Sequence, residues 1–176
     1  MQNVEYKAEL RDPELARLVC KRAGAVQAEE AEQADTYYRI PDGRLKRREV
    51  DGQDVEYIFY HRANRLRPKL SHFTIYSRDE AKRRFGQLPL PVWLVVRKQR
   101  ETWMYKNVRI HIDSVEHLGQ FIEIEALVSP THHAGQCHML VDGLRDKLGP
   151  TLGEPIAGSY SDLMALELET SDGTAS

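Results

Sequence analysis

The chain has 176 residues, of which 41% are hydrophobic and 30% charged, and a net charge of -2. That suits one soluble domain with a real core and leaves too little chain for two. No run approaches the ~18 apolar residues of a membrane span. The near-neutral charge argues against a general nucleic-acid coat, and Cys20 and Cys137 read as free thiols rather than a disulfide framework or a CxxC site. MQNVEYKAEL at the start has no basic stretch followed by an apolar run, so the expected compartment is the cytoplasm.

Residues 2–10 alternate, with Val4, Tyr6, Ala8 and Leu10 against Glu5 and Lys7, which marks a strand. RDPELARLVCKRAG reads as a helix with Asp12 as N-cap, Pro13 at the first helical position, Leu15, Leu18 and Val19 as its apolar stripe, and Gly24 as its stop. Strands follow at 36–40, 45–50, 55–62 and 69–76, with PDG at 41–43 and DGQD at 51–54 as hairpin turns. SRDEAKRRFG opens with a Ser77 to Glu80 capping box and ends at Gly86, with Arg83 and Arg84 on a solvated face. Further strands are expected at 92–100, 102–105, 108–113 and 120–128, Lys106 and Asn107 forming a two-residue link. A third helix runs from 129 or 131 to 149 on a stripe of Leu140, Val141, Leu144 and Leu148. A last strand is expected near 161–168, and the polar tail SDGTAS is expected to be disordered. The whole reads as a meander of antiparallel hairpins with few helices.

The two-residue period also sorts the charges. Glu5 and Lys7 share a face, as do Lys46 and Arg48, Lys98 and Arg100, the trio Arg109, His111 and Asp113, and the pair Glu123 and Glu125 of FIEIEALV; Arg62 and Lys69 add single cations. A wet face on an open sheet would give such a pattern. However, a solubilising surface intersperses both signs, whereas here cations and acids sort on to different strands. About eight strands are enough to close a barrel around a small lumen. A lumen lined by these cations needs an anion with several charges, and the carboxylates are hard oxygen ligands of the kind that hold magnesium or manganese against phosphates. A metal-bound phosphate chain satisfies both sets.

These residues carry a resemblance. NVEYKAEL resembles the N-terminal ExExK signature of the CYTH superfamily, the triphosphate tunnel metalloenzymes, and GRLKRRE, YHR, PKLSHFTIY, VVRKQR, NVRIHIDSVEHLGQFIEIEAL and GSYSDLM follow in family order, closest to the class IV adenylyl cyclase branch. The resemblance implies an α+β fold: a closed antiparallel eight-stranded β-barrel, or tunnel, with a few flanking helices, spanning residues 1–170 as one domain. It implies Glu5, Glu123 and Glu125 as ligands of Mg2+ or Mn2+. Lys7, Lys46, Arg48, Arg62, Lys69, Lys98, Arg100 and Arg109 would clamp a small-molecule triphosphate, and Lys7, Glu5 and Asp113 would serve catalysis. It also implies a soluble protein with no nucleic-acid or membrane partner, and a homodimer as its assembly. The expected reaction is conversion of ATP to cyclic AMP and pyrophosphate; hydrolysis of inorganic, nucleoside or thiamine triphosphate, or binding without turnover, are the alternatives. One departure stands out. Asn3 occupies the first Glu position of the signature, offering a neutral oxygen without charge.

Other residues read more plainly. His111, on the charged face, is either a proton donor or a hydrogen-bonded filler. His132, His133 and His138 lack the companion ligands of a zinc site. Ser71, Ser159 and Tyr160 fit structural hydrogen bonds, and Trp93 and Trp103 packing on the outside of the barrel.

Overall fold

A computed structural model describes residues 1–87 and 90–173. Nine strands and four α-helices follow one another: β1 (Gln2–Leu10), α1 (Pro13–Arg22), β2 (Val26–Tyr38), β3 (Arg44–Val50), β4 (Glu56–Arg62), β5 (Lys69–Tyr76), α2 (Arg78–Phe85), β6 (Val92–Tyr105), β7 (Val108–Val115), β8 (Gly119–Leu127), α3 (Ala134–Leu148), β9 (Leu152–Pro155) and α4 (Tyr160–Gly173). Antiparallel pairing runs β5-β4-β3-β2-β6-β7-β8-β1, and β5 pairs back on β1 from Gln2 opposite His72 to Glu5 opposite Lys69. The eight strands thereby close into the expected barrel, with β9 added outside the ring on the end of β1.

Alternation gives each strand an outer and an inner face. The outer face of β1, β7 and β8 carries Val4, Tyr6, Ala8, Val108, Ile110, Ile112, Ile122 and Ile124, which α1 and α3 cover in one packed cluster together with Trp103 of β6. Each Val or Ile among them taken out of water contributes about 1.5–3 kcal/mol. α2 covers a second outer patch, Tyr38, Leu45 and Tyr57, through Ala81. With its apolar faces turned outward on to helices, the barrel leaves its charged faces to the lumen.

Three elements depart from the sequence expectation. β2 begins at Val26 rather than residue 36, because VQAEEAEQAD, poor in β-formers, is held extended by pairing along β6 from Val26 opposite Met104 onward. The strands expected at 92–100 and 102–105 are one continuous β6. The strand expected near 161–168 is instead helix α4, at whose start Ser159 N and Oγ both donate to Asp162 Oδ2 at 2.9 and 3.1 Å. α4 runs through Gly173, so the first three residues of the SDGTAS tail are helical; Thr174 to Ser176 lie outside the described residues.

The helix boundaries were otherwise close, yet α1 buries a different face. Ala16 and Cys20 pack inward while Leu15 and Leu18 stay 37% and 56% exposed, because small side chains let the helix approach the barrel and α3 closely.

Helix α4 has a particular position. Tyr160 and Met164 pack on Tyr37, Leu94, Val96, Val115 and Phe121, inner-face residues at one end of β2, β6, β7 and β8. The helix stoppers that end, and the tunnel becomes a cup with one mouth.

Candidate functional site

The cup is a cavity of about 290 Å3. Its lining includes Glu5, Lys7, Lys46, Arg48, Arg62, Lys98, Arg100, Arg109, Glu123 and Glu125, ten of the twelve residues singled out for the site in the sequence, together with Tyr37, Tyr60, Ser71, His111, Ser159 and Tyr160. Lys69, on the same face of β5 as Ser71 and Phe73, does not line the cavity; its ammonium is engaged near the closed end, donating to the carbonyls of Arg65 and Ala157 at 3.2 and 2.5 Å. Asp113 does not open on to the cavity. It is fully buried, takes a two-pronged bond from Arg100 at 2.7 Å and a third from the Tyr160 hydroxyl at 2.6 Å, and so acts as a positioning group for Arg100.

The carboxylates gather on β1 and β8, which pair with Glu5 opposite Glu125 and Lys7 opposite Glu123. Oxygens of Glu5, Glu123 and Glu125 all lie within 4.8 Å of one another. That is the spread of atoms able to share one ion at 2.0–2.6 Å from each. Two residues before Glu5 on the same face, the Asn3 side-chain oxygen is buried without a hydrogen-bond partner and lines the same cavity as a neutral acceptor. The donor set is all oxygen, as magnesium and manganese require. Burial, with Glu123 and Glu125 nearby, raises the Glu5 carboxyl despite Arg62, with which it pairs. At Glu123 burial would raise the carboxyl, but Lys7, 2.9 Å away, a hydrogen bond with Glu125, and Arg100 and His111 together hold it well below the usual range.

Lys46 and Arg48 of β3 and Lys98 of β6 converge on an acid that sequence reasoning missed, while Arg62 and Arg109 pair with Glu5 and Glu125. Asp35 on β2, wholly buried, accepts from Lys46 and Lys98 at 2.9 Å and from both arms of Arg48 at 2.8 and 2.9 Å. Burial alone would raise its carboxyl; Arg48, Lys46 and Lys98 together hold it well below the carboxylate range. One charge cannot neutralise three, and the lysines show it: burial, then Arg48, lowers Lys46 to about 7, and burial is likewise the main cause that lowers Lys98 to about 8. Asp35 lies one residue before the strand expected at 36, on the same face as Tyr37; only the true start of β2 would have exposed it as an inward acid.

His111 is buried, 3.2 Å from Thr102 Oγ1 and 3.5 Å from Glu125, and burial, followed by Arg100, lowers its titration. His133 caps α3 by accepting from the Gln136 amide, a structural use. Trp103 is buried against the outer helices with its N–H donated to Glu101, while Trp93 is half-buried beside the α4 cluster, under Arg44.

Among solved structures the fold recurs widely. A Pyrococcus horikoshii protein, PH1012, superposes with a TM-score of 0.73 at 21% identity, covering 92% of this chain and 98% of its own. A Vibrio parahaemolyticus protein provisionally described as an adenylate cyclase gives 0.68 at 15% identity over 93% and 97% of the two chains. HpAC1 from Hippeastrum, for which a dominant triphosphatase activity is stated, gives 0.57 at 12% identity over 89% and 91%. No curated protein matches the chain by sequence. The family model described as the CYTH domain matches residues 1–137, well over half of the chain, and the protein belongs to that family.

Proposed function

We propose that this protein holds a triphosphate and a divalent ion, magnesium or manganese, together in its cup, and that it converts ATP to cyclic AMP and pyrophosphate. The observation that carries the reading is the pairing of two charge sets in one cup: three carboxylates within 4.8 Å on β1 and β8, and a Lys and Arg clamp that, apart from Lys7 on β1, comes from the other strands. A bare polyanion would satisfy only the clamp, and a bare ion only the carboxylates. When bound by Glu5, Glu123 and Glu125, with the Asn3 oxygen beside them, such an ion supplies charge neutralisation and lowers the pKa of an attacking hydroxyl.

The remaining work belongs to the protein. Asp35 orients Lys46, Arg48 and Lys98, and Asp113 orients Arg100, so that phosphate oxygens meet donors already in place. Tyr160 closes the far end, and Lys7 rests on its ring at 4.0 Å. A phosphate chain entering by the mouth puts its terminal phosphate deepest and its first phosphorus nearest the mouth. A blind cup suits a reaction whose nucleophile arrives with the substrate. The ribose 3'-hydroxyl attacks the first phosphorus, the bond to pyrophosphate breaks as the new P–O bond forms, and the hydroxyl proton is released. The motif order of the cyclase branch supports this choice over hydrolysis.

Purified protein given ATP and inorganic triphosphate separately, with Mg2+ or Mn2+ and then with EDTA, tests it by chromatography of the products. Cyclic AMP with pyrophosphate, lost in EDTA, is expected. Orthophosphate without cyclic nucleotide overturns the cyclase reaction in favour of hydrolysis, and absence of turnover from either substrate overturns both in favour of a binding protein.

A further inference from the structure

One sector of the lumen does not fit a wall built only for phosphate. On β3, β4 and β5 the inward positions Val50, Ile58, Phe73 and Ile75 line the same cavity as the clamp, yet none belongs to any of the three packed hydrophobic clusters among the described residues. Ile58 faces Ile75 in register and Tyr60 faces Phe73, while Ile58 on its other side faces Lys46. The apolar sector therefore begins where the cation clamp ends. It lies toward the mouth: on β5, Lys69 reaches Ala157 at the closed end, and Ile75 is six residues, about 20 Å, further along the strand. Ile75 is 39% exposed. A phosphate chain has no apolar surface with which to cover these side chains.

A second observation points the same way. Gln33, opposite Val50 on the adjoining strand β2, lines the cavity with a buried side-chain oxygen that has no hydrogen-bond partner. A buried acceptor of this kind normally has a donor.

We infer that Ile58, Phe73 and Ile75, with the Gln33 amide, form a subsite for a flat organic ring bearing an N–H donor on the mouth end of the triphosphate, so that ring-bearing triphosphates are preferred to the inorganic chain. The inference rests on the triphosphate reading above but not on which phosphorus is attacked. Aliphatic side chains and a phenyl ring on one wall give a planar ring an apolar face to lie against, and an exocyclic amine supplies the hydrogen that Gln33 lacks. A nucleobase has this chemistry, and so does the aminopyrimidine of thiamine triphosphate.

Calorimetry in calcium buffer with adenosine 5'-(β,γ-imido)triphosphate, thiamine triphosphate and inorganic triphosphate separates the cases. The wild type is expected to bind at least one ring-bearing ligand about tenfold or more tighter than inorganic triphosphate. Phe73→Ser with Ile75→Ser, both at partly open positions, removes that advantage while affinity for the inorganic chain stays; Gln33→Leu alone reduces it in part. Whichever ring-bearing ligand responds identifies the ring. Equal affinities for all three, or variants that weaken all three alike, overturn the subsite and leave the triphosphate reading standing. Failure of every triphosphate to bind overturns that reading, and the subsite with it.

Discussion

Replacing Asp35 with Asn removes the charge that Lys46, Arg48 and Lys98 share and keeps the side chain's size. All four hydrogen bonds from these three cations are 2.8–2.9 Å and the carboxylate is wholly buried. Removing one partner of a buried ion pair costs about 3–5 kcal/mol. The lower end applies here: Lys46 and Arg48 are 13% and 17% exposed toward the cup, and Lys46, with its titration lowered to about 7, can shed its proton. At about 2–4 °C per kcal/mol for a chain of this size, the variant should melt roughly 6–12 °C below wild type at pH 7. Inorganic triphosphate should restore much of the loss, since it brings negative charge to the same three cations. Paired thermal melts by circular dichroism, with and without triphosphate, measure both effects. A variant melting within about 1 °C of wild type, well inside the shift that 1 kcal/mol gives, would refute the view of Asp35 as the anchor of the clamp.

Glu123→Gln combined with Glu125→Gln should abolish both ion-dependent turnover and the rise in melting temperature given by manganese, with the far-UV spectrum intact; loss of the spectrum instead would make the pair structural. Tyr160→Phe removes a 2.6 Å bond to the Asp113 carboxylate, worth about 1.5–3 kcal/mol for a bond to a charge. Its melting temperature should fall by several degrees, and an unchanged melt would show that Arg100 alone holds Asp113. The pH dependence follows from Lys46 and Lys98, lowered to about 7 and about 8 chiefly by burial. Below pH about 6 both are charged and triphosphate binding has its full electrostatic gain. Above 7 binding must take up protons, so Kd should rise by up to about tenfold per pH unit for each lysine, as calorimetry in buffers of different ionisation enthalpy would register. Stability of the unliganded protein runs the other way between pH 7 and about 10, because the unfolded chain then holds protons that these folded lysines have lost. A Kd independent of pH from 6 to 9 would contradict the buried positions of both.

Much of the site could be read before the fold was known, for a physical reason. The side-chain period of a strand is local, so Glu5 with Lys7, Lys46 with Arg48 and Glu123 with Glu125 declare a common face from spacing alone. Charge on one face and Val, Ile or Leu on the other says only that the faces differ. That the charged face is the inner one became arguable because cations and acids were sorted by strand, and the family motifs placed all of them on one lumen. Helix ends were equally local: Asp12, and Ser77 with Glu80, cap α1 and α2 as their spacing predicts.

What the chain's own order did not reveal are pairings between residues far apart in it. Arg62 meets Glu5 across 57 positions and Lys98 meets Asp35 across 63, and only closure of the β1–β5 seam and the length of β2 bring them together. Asp35 was hidden because the Ala- and Glu-rich stretch before it is strand only by virtue of its partner β6. α4 carried a local signal in Ser159 and Asp162, but its packing across the barrel end, which turns a tunnel into a cup, depends on Tyr37, Val96, Val115 and Phe121 arriving from four strands. Backbone preference acts over a few residues, whereas a buried charge is settled by whatever neighbours the closed sheet supplies. The sequence alone therefore determined which faces carry charge, and the tertiary structure decided which charges meet.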